Sequence, residues 1–105
     1  MNTLSLNATH SVSNITEYDL HNLYGHMQAQ TVYNILSDPS SPISQNRAFI
    51  LSRSTFTSSG RYASHWLGDT PRDWTFMKYT ISGIMSMNMF GVPHVGADVC
   101  GYRGN

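Results

Sequence analysis

The chain has 105 residues with six basic and six acidic side chains, so its formal net charge at pH 7 is zero, and charged residues make up only 11%, less than half the roughly 25% of an average soluble domain. Neutrality without a Lys/Arg cluster argues against a nucleic-acid-binding footprint or a polybasic membrane patch, and 40% hydrophobic with 11% aromatic content argues against disorder. The single cysteine, Cys100, rules out a disulfide scaffold, and no apolar run approaches the roughly 18 residues of a membrane-spanning helix.

No basic start followed by an apolar stretch is visible at the N-terminus, so no signal peptide is expected in these residues. The scarcity of charge is itself informative. Only one Lys (Lys78) and one Glu (Glu17) occur, and Ser, Thr and Asn carry the polar load. A free-standing domain of this size normally covers its surface with charges. Either this surface is unusually neutral, or much of it belongs inside something larger.

Residues 1–16 form a polar segment with two Asn-x-Thr sequons, at Asn7 and Asn14, each an N-glycosylation acceptor if the chain enters the secretory pathway. A helix is expected from about Tyr18 to Leu36, capped by Thr16, with Leu20, Leu23, Tyr24, Met27, Thr31 and Ile35 along one face and Gly25 as a weak point inside it. Asp38-Pro39-Ser40-Ser41-Pro42 breaks the chain into a loop.

The run Ala48-Phe49-Ile50-Leu51, bounded by turn formers, reads as a strand buried on both faces. A second strand is expected around residues 63–67, ending at Gly68-Asp69. The second helix is signalled by Pro71 in its first turn, by Asp73 at its start and by an apolar stripe of Trp74, Met77, Ile81, Ile84, Met85 and Met89, read as core packing. Gly91 caps it and Pro93 stops it. A third strand is expected over residues 94–99. The order helix-strand-strand-helix-strand, with short buried strands, predicts an α/β architecture with parallel pairing.

Asp69 follows the second strand, Asp98 the third, and Arg53 lies just beyond the first. In parallel α/β folds the C-terminal strand ends form the site face. Taken alone, an Asp in such a position is more often a helix cap or loop residue than a catalyst, and an Arg beside it is more often half of a structural ion pair. His21 and His26 lie five apart on a helix and so on different faces, His65 and His94 stand alone, and no Cys/His spacing resembles a zinc site; no metal is expected. Trp66 and Tyr102 are open to two readings, as core or as platforms on which a sugar could stack.

Four motifs occur in one order: Tyr18-Asp19-x-His21-Asn22-Leu23-Tyr24-Gly25, Arg53-Ser54-Thr55-Phe56, Gly60-Arg61-Tyr62-Ala63-x-His65-Trp66-x-Gly68-Asp69 and Gly96-Ala97-Asp98-Val99-Cys100-Gly101. Together, over nearly the whole chain from about Leu4, they resemble the second half of the (β/α)8 catalytic barrel of glycoside hydrolase family 31, the retaining α-glucosidases, and within it the maltase and acid α-glucosidase branch. The resemblance implies that Asp69 is the general acid/base and that Arg53 hydrogen-bonds the bound sugar. It also implies that Trp66 and Tyr102 line the pocket, the family commonly having Phe at the latter, and that Asp98 supports it. A retaining mechanism needs a second carboxylate about 5 Å from the acid/base. The acid must keep its proton near working pH, which burial beside an aromatic and a nearby negative charge both favour.

The resemblance further implies an α-glucoside or malto-oligosaccharide substrate, neither metal nor organic cofactor, and a secretory-pathway setting (extracellular, lysosomal or vacuolar). The family's nucleophile, an Asp in a Trp-x-Asp-Met-Asn-Glu type motif, is absent from these 105 residues, as are the first strands of the barrel and the cysteine expected to pair with Cys100. The chain is therefore expected to be a partial barrel, inactive alone, whose partner is the missing remainder. The alternative is a non-catalytic carbohydrate-binding or interaction protein built from half a barrel. The family usually has Ala-Gly where Thr57-Ser58 stand, Gly at Ser64 and Asn at Thr70. A lost glycine matters where the backbone needs positive φ or a close approach.

Overall fold

The computed structural model describes residues 3–104. Residues 5–16 of the polar segment are ordered by their own hydrogen bonds. They turn back as a tight hairpin, with an antiparallel bridge between Thr9 and Thr16, and the Ala8 carbonyl accepts Glu17 N–H at 2.8 Å. The expected first helix is present but divided into α1 (Glu17–Leu20), a 3₁₀ turn (His21–Leu23) and α2 (Tyr24–Ser37). Thr16 does not cap it. Its hydroxyl donates instead to Asp19 Oδ2 at 2.6 Å. The division sets α1 with Glu17 against the hairpin, while α2 begins with Gly25 buried against Ser54. Asp38 is extended, as a residue before proline prefers, and its Oδ1 accepts from Ser40 N–H at 2.8 Å, which ends α2 in a side-chain turn.

Three short strands follow: β1 (Leu51–Ser52), β2 (Ser64–Trp66) and β3 (Val95–Gly96). All pair in parallel in the order β1-β2-β3, with Ser52 opposite His65 and Trp66 opposite Gly96. Between β2 and β3 runs α3 (Trp74–Met89). Between β1 and β2 the chain makes only a 3₁₀ turn (Ser59–Arg61). The elements therefore come in the expected order, as a small open α/β sheet and not a closed barrel.

Four local expectations are corrected. β1 starts later than Ala48 and is not buried on both faces, for Phe49 is 73% and Leu51 55% exposed. β3 occupies two of the six residues foreseen. Pro71 lies ahead of α3, bridged to Arg103, and is not in its first turn. The Trp74, Met77, Ile81, Ile84, Met85 and Met89 stripe is not core: all but the half-buried Ile84 are exposed, and the side of α3 that meets the sheet carries Gly83, whose α-carbon faces Leu67.

The ends of α3 follow local chemistry closely. Asp73 Oδ1 accepts from Phe76 N–H at 2.8 Å, a side-chain N-cap. Gly91 takes φ +82 while Val92 N–H reaches the Met87 carbonyl at 2.9 Å, the paired hydrogen bonds of a Schellman ending. Among the described residues the buried apolar ones are few (Ala29, Ala63, Val92), and most large apolar side chains face outward. The radius of gyration, 16.5 Å, exceeds the roughly 13 Å of a self-contained domain of this length. The charge-poor surface is thus an apolar one.

Candidate functional site

Parallel pairing puts the C-terminal ends of all three strands on one edge, and the residues singled out from the sequence follow them directly. Arg53 comes one residue after β1, Asp69 three after β2 and Asp98 two after β3. Trp66, the last residue of β2, donates its indole Nε1–H to Asp98 Oδ1 at 3.0 Å, tying the neighbouring strand ends together. The guanidinium of Arg53 lies 5.8 Å from the Trp66 ring centroid, within cation–π range.

Gly68 makes this arrangement possible. Its φ is +89, a conformation that disfavours side chains, and an added Cβ would stand 2.6 Å from Arg53 Nε. The guanidinium therefore packs on the backbone immediately before Asp69. Arg53, Trp66, Gly68 and Asp98 form one cluster. Among the described residues Arg53 makes no ion pair with either carboxylate.

Asp98 is unusual within it. Oδ1 has the indole, but Oδ2 is buried with no hydrogen-bond partner among the described residues, and such an atom carries a desolvation cost until something donates to it. Asp69 is half-buried on the adjoining loop and makes no described side-chain hydrogen bond. The structure does not bring the Tyr102 ring into the cluster. Its side chain is 62% exposed, although its N–H is held by the Thr70 carbonyl at 2.7 Å, just past Asp69.

Sequence spacing does not show which side chains the histidines meet. His65 is not isolated: its Nδ1 lies 3.1 Å from Thr55 Oγ1, and burial pushes its pKa below the ordinary value. His10 Nε2 and His21 Nδ1 donate to the two carboxylate oxygens of Glu17 at 2.8 and 3.0 Å. The hydrogen bond from His21, then that from His10, holds the Glu17 pKa below the usual carboxylate value. The Glu17/His21 spacing of four was legible in the sequence; His10 was not, because the hairpin brings it in. Of the lost glycines, Ser58 adopts φ +75, the conformation glycine tolerates best, whereas Ser64 is ordinary strand.

The family description "Glycosyl hydrolases family 31 TIM-barrel domain" matches residues 2–105. The chain is 48% identical over 88 residues to a probable maltase-glucoamylase 2 of Homo sapiens, covering 84% of this chain and 3% of that protein. It is 46% identical over 102 residues to an alpha-glucosidase of Aspergillus niger, covering 97% of this chain and 10% of that one. A crystal structure of a glucosidase II alpha subunit, the Glc1Man2-bound form, superposes with a TM-score of 0.87 at 34% identity over 98% of this chain and 11% of the other. The chain thus spans about a tenth or less of the length of these relatives. No described helix is long and apolar enough to cross a membrane.

Proposed function

Because the chain belongs to glycoside hydrolase family 31, we propose that its 105 residues form part of the second half of the catalytic barrel of a retaining α-glucosidase acting on maltose-like α-glucosides. The observation that carries this reading is the cluster at the C-terminal edge: Trp66 meets Arg53 on its ring and Asp98 at its N–H, beside the loop that bears Asp69. In this reading Asp69 is the acid/base. It protonates the glycosidic oxygen as the bond breaks, then takes a proton from the water that releases the sugar from a carboxylate nucleophile.

Arg53 donates to sugar hydroxyls from a position fixed by Gly68 and the Trp66 face. Trp66 offers its ring to the sugar while its N–H locks Asp98. The unpartnered Asp98 Oδ2 would gain a donor when the rest of the barrel or a bound sugar completes the pocket, and Tyr102 stands at the pocket's outer rim on the segment hydrogen-bonded to Thr70. The secretory setting fits Asn7 and Asn14, which are both exposed in the hairpin segment.

The chain holds the acid/base without the nucleophile motif, so alone it should not hydrolyse nitrophenyl α-glucoside. Turnover by the purified chain, abolished in Asp69→Asn, would refute that. An iminosugar titration tests the pocket. The Trp66 indole and Arg53 side-chain NMR signals should shift, and the shift should vanish in Arg53→Ala; unmoved signals would sink the assignment. The exposed α3 face favours one competing reading, a non-catalytic binding protein, which predicts a stable sugar-binding dimer by size-exclusion chromatography.

A further inference from the structure

The Tyr18–Gly25 motif plays no part in the chemistry just described, yet the start of α2 grips the segment that carries Arg53. Gly25 lies so close to Ser54 that no side chain fits between them. The next residue, His26, has Nδ1 2.9 Å from Ser59 Oγ, across 33 positions of sequence. Ser59 is completely buried, and the same oxygen accepts Phe56 N–H at 2.9 Å. Its hydroxyl proton then has one described partner, the lone pair of His26 Nδ1, because a buried hydroxyl without an acceptor is costly. The hydrogen-bond network thereby assigns the acceptor role to His26 Nδ1.

We propose that His26 is a positioning residue for the sugar-binding edge. By accepting the Ser59 hydroxyl proton it aims Ser59 Oγ at Phe56 N–H, adds a second bond across a turn that Ser59 N–H already closes on the Phe56 carbonyl at 3.0 Å, and helps hold the Arg53–Phe56 segment at the end of β1. The consequence for sugar binding rests on the reading of Arg53 given above; the latch does not. The segment has two further anchors: Ser52 Oγ donates to the Ser54 carbonyl at 2.8 Å, and Thr55 meets His65. Neither restrains the turn at Ser59, where Ser58 sits at positive φ.

The titratable groups packed around the latch are few. The Tyr62 ring meets His26 edge-on at 5.7 Å and Tyr33 at the same distance, and the Arg61 guanidinium stands 5.8 Å from the Tyr62 centroid.

Amide exchange and 15N NMR on the full chain test this with His26→Leu, which cannot accept, and His26→Asn, whose side-chain oxygen can. His26→Leu should speed exchange at Phe56 by roughly fivefold to tenfold, the size of one net hydrogen bond, and His26→Asn should restore it. Leu behaving as wild type, or Asn behaving as Leu, overturns the proposal. If His26→Leu does not fold, Ser59→Ala decides: without the hydroxyl that joins His26 to Phe56 N–H, Phe56 exchange should rise by a similar factor, and unchanged exchange overturns the latch. Iminosugar binding that is indifferent to Arg53→Ala would remove the sugar-contact reading and leave the latch standing.

Discussion

Replacing Gly25 with alanine sets two effects of opposite sign against each other. At a helical position alanine is favoured over glycine by about 1 kcal/mol, so helix propensity alone predicts a more stable protein. The structure reverses the sign. An alanine Cβ would press into the carbonyl oxygen and hydroxyl of Ser54 and come within 2.5 Å of its Cβ. The carbonyl is not free to swing away, because it also accepts the Ser52 hydroxyl at 2.8 Å. Overpacking typically costs about 1–3 kcal/mol, and three atoms met at once place this case at the upper end. After the propensity gain, a net loss of about 2 kcal/mol remains, or roughly 8–16 °C in Tm for a chain of this size. Urea denaturation should show a lower midpoint at unchanged slope. Gly96→Ala is the control, since its Cβ would meet nothing within 4 Å, and it should change stability by no more than about 0.5 kcal/mol. A Gly25→Ala protein as stable as wild type would refute the close approach of α2 to the Arg53 segment.

Acid should destabilise the protein in two stages. His65 has its folded pKa pushed below 6.5 by burial, so its contribution is whole above 6.5 and is lost as pH falls below it. Glu17, held below 4.5 by His21 and His10, adds a second loss as pH falls through and below 4.5. Glu17→Gln should erase the second stage and spare the first; an unaltered acid limb in urea titrations at successive pH values would contradict the two-histidine clamp. Ser58→Gly should stabilise by about 0.5 kcal/mol, relief of roughly 1–2 kcal/mol of left-handed strain outweighing about 0.5–1 kcal/mol of added chain entropy. A lower Tm in that variant would show that Ser58 contributes something beyond its backbone conformation.

The parts of the fold legible in sequence were those set by local chemistry. Asp73 and Gly91 mark the two ends of α3 because a carboxylate can accept the orphan N–H groups of a first turn and glycine can take positive φ. Asp38 before Pro39 stops α2 for equally local reasons. The candidate site was legible through motif order, which put Arg53, Asp69 and Asp98 after successive strands. Burial was misjudged. A methionine and tryptophan stripe at helical spacing announces a face that favours cover, but spacing does not say what covers it, and here α3 turns that face outward.

The contacts that shape the site join residues far apart in the chain. Trp66 to Asp98, Arg53 on Gly68, Thr55 to His65 and His26 to Ser59 each depend on how strands and helices are stacked. By itself the sequence determined the order of elements, the helix ends and the family of the chain, because these follow from capping groups, periodicity and motif spacing. Only the tertiary structure decided which histidines have partners, why Gly25 and Gly68 must lack side chains, and which carboxylate oxygen is left waiting for a donor. Those outcomes turn on distances of a few tenths of an ångström between segments that no local rule relates.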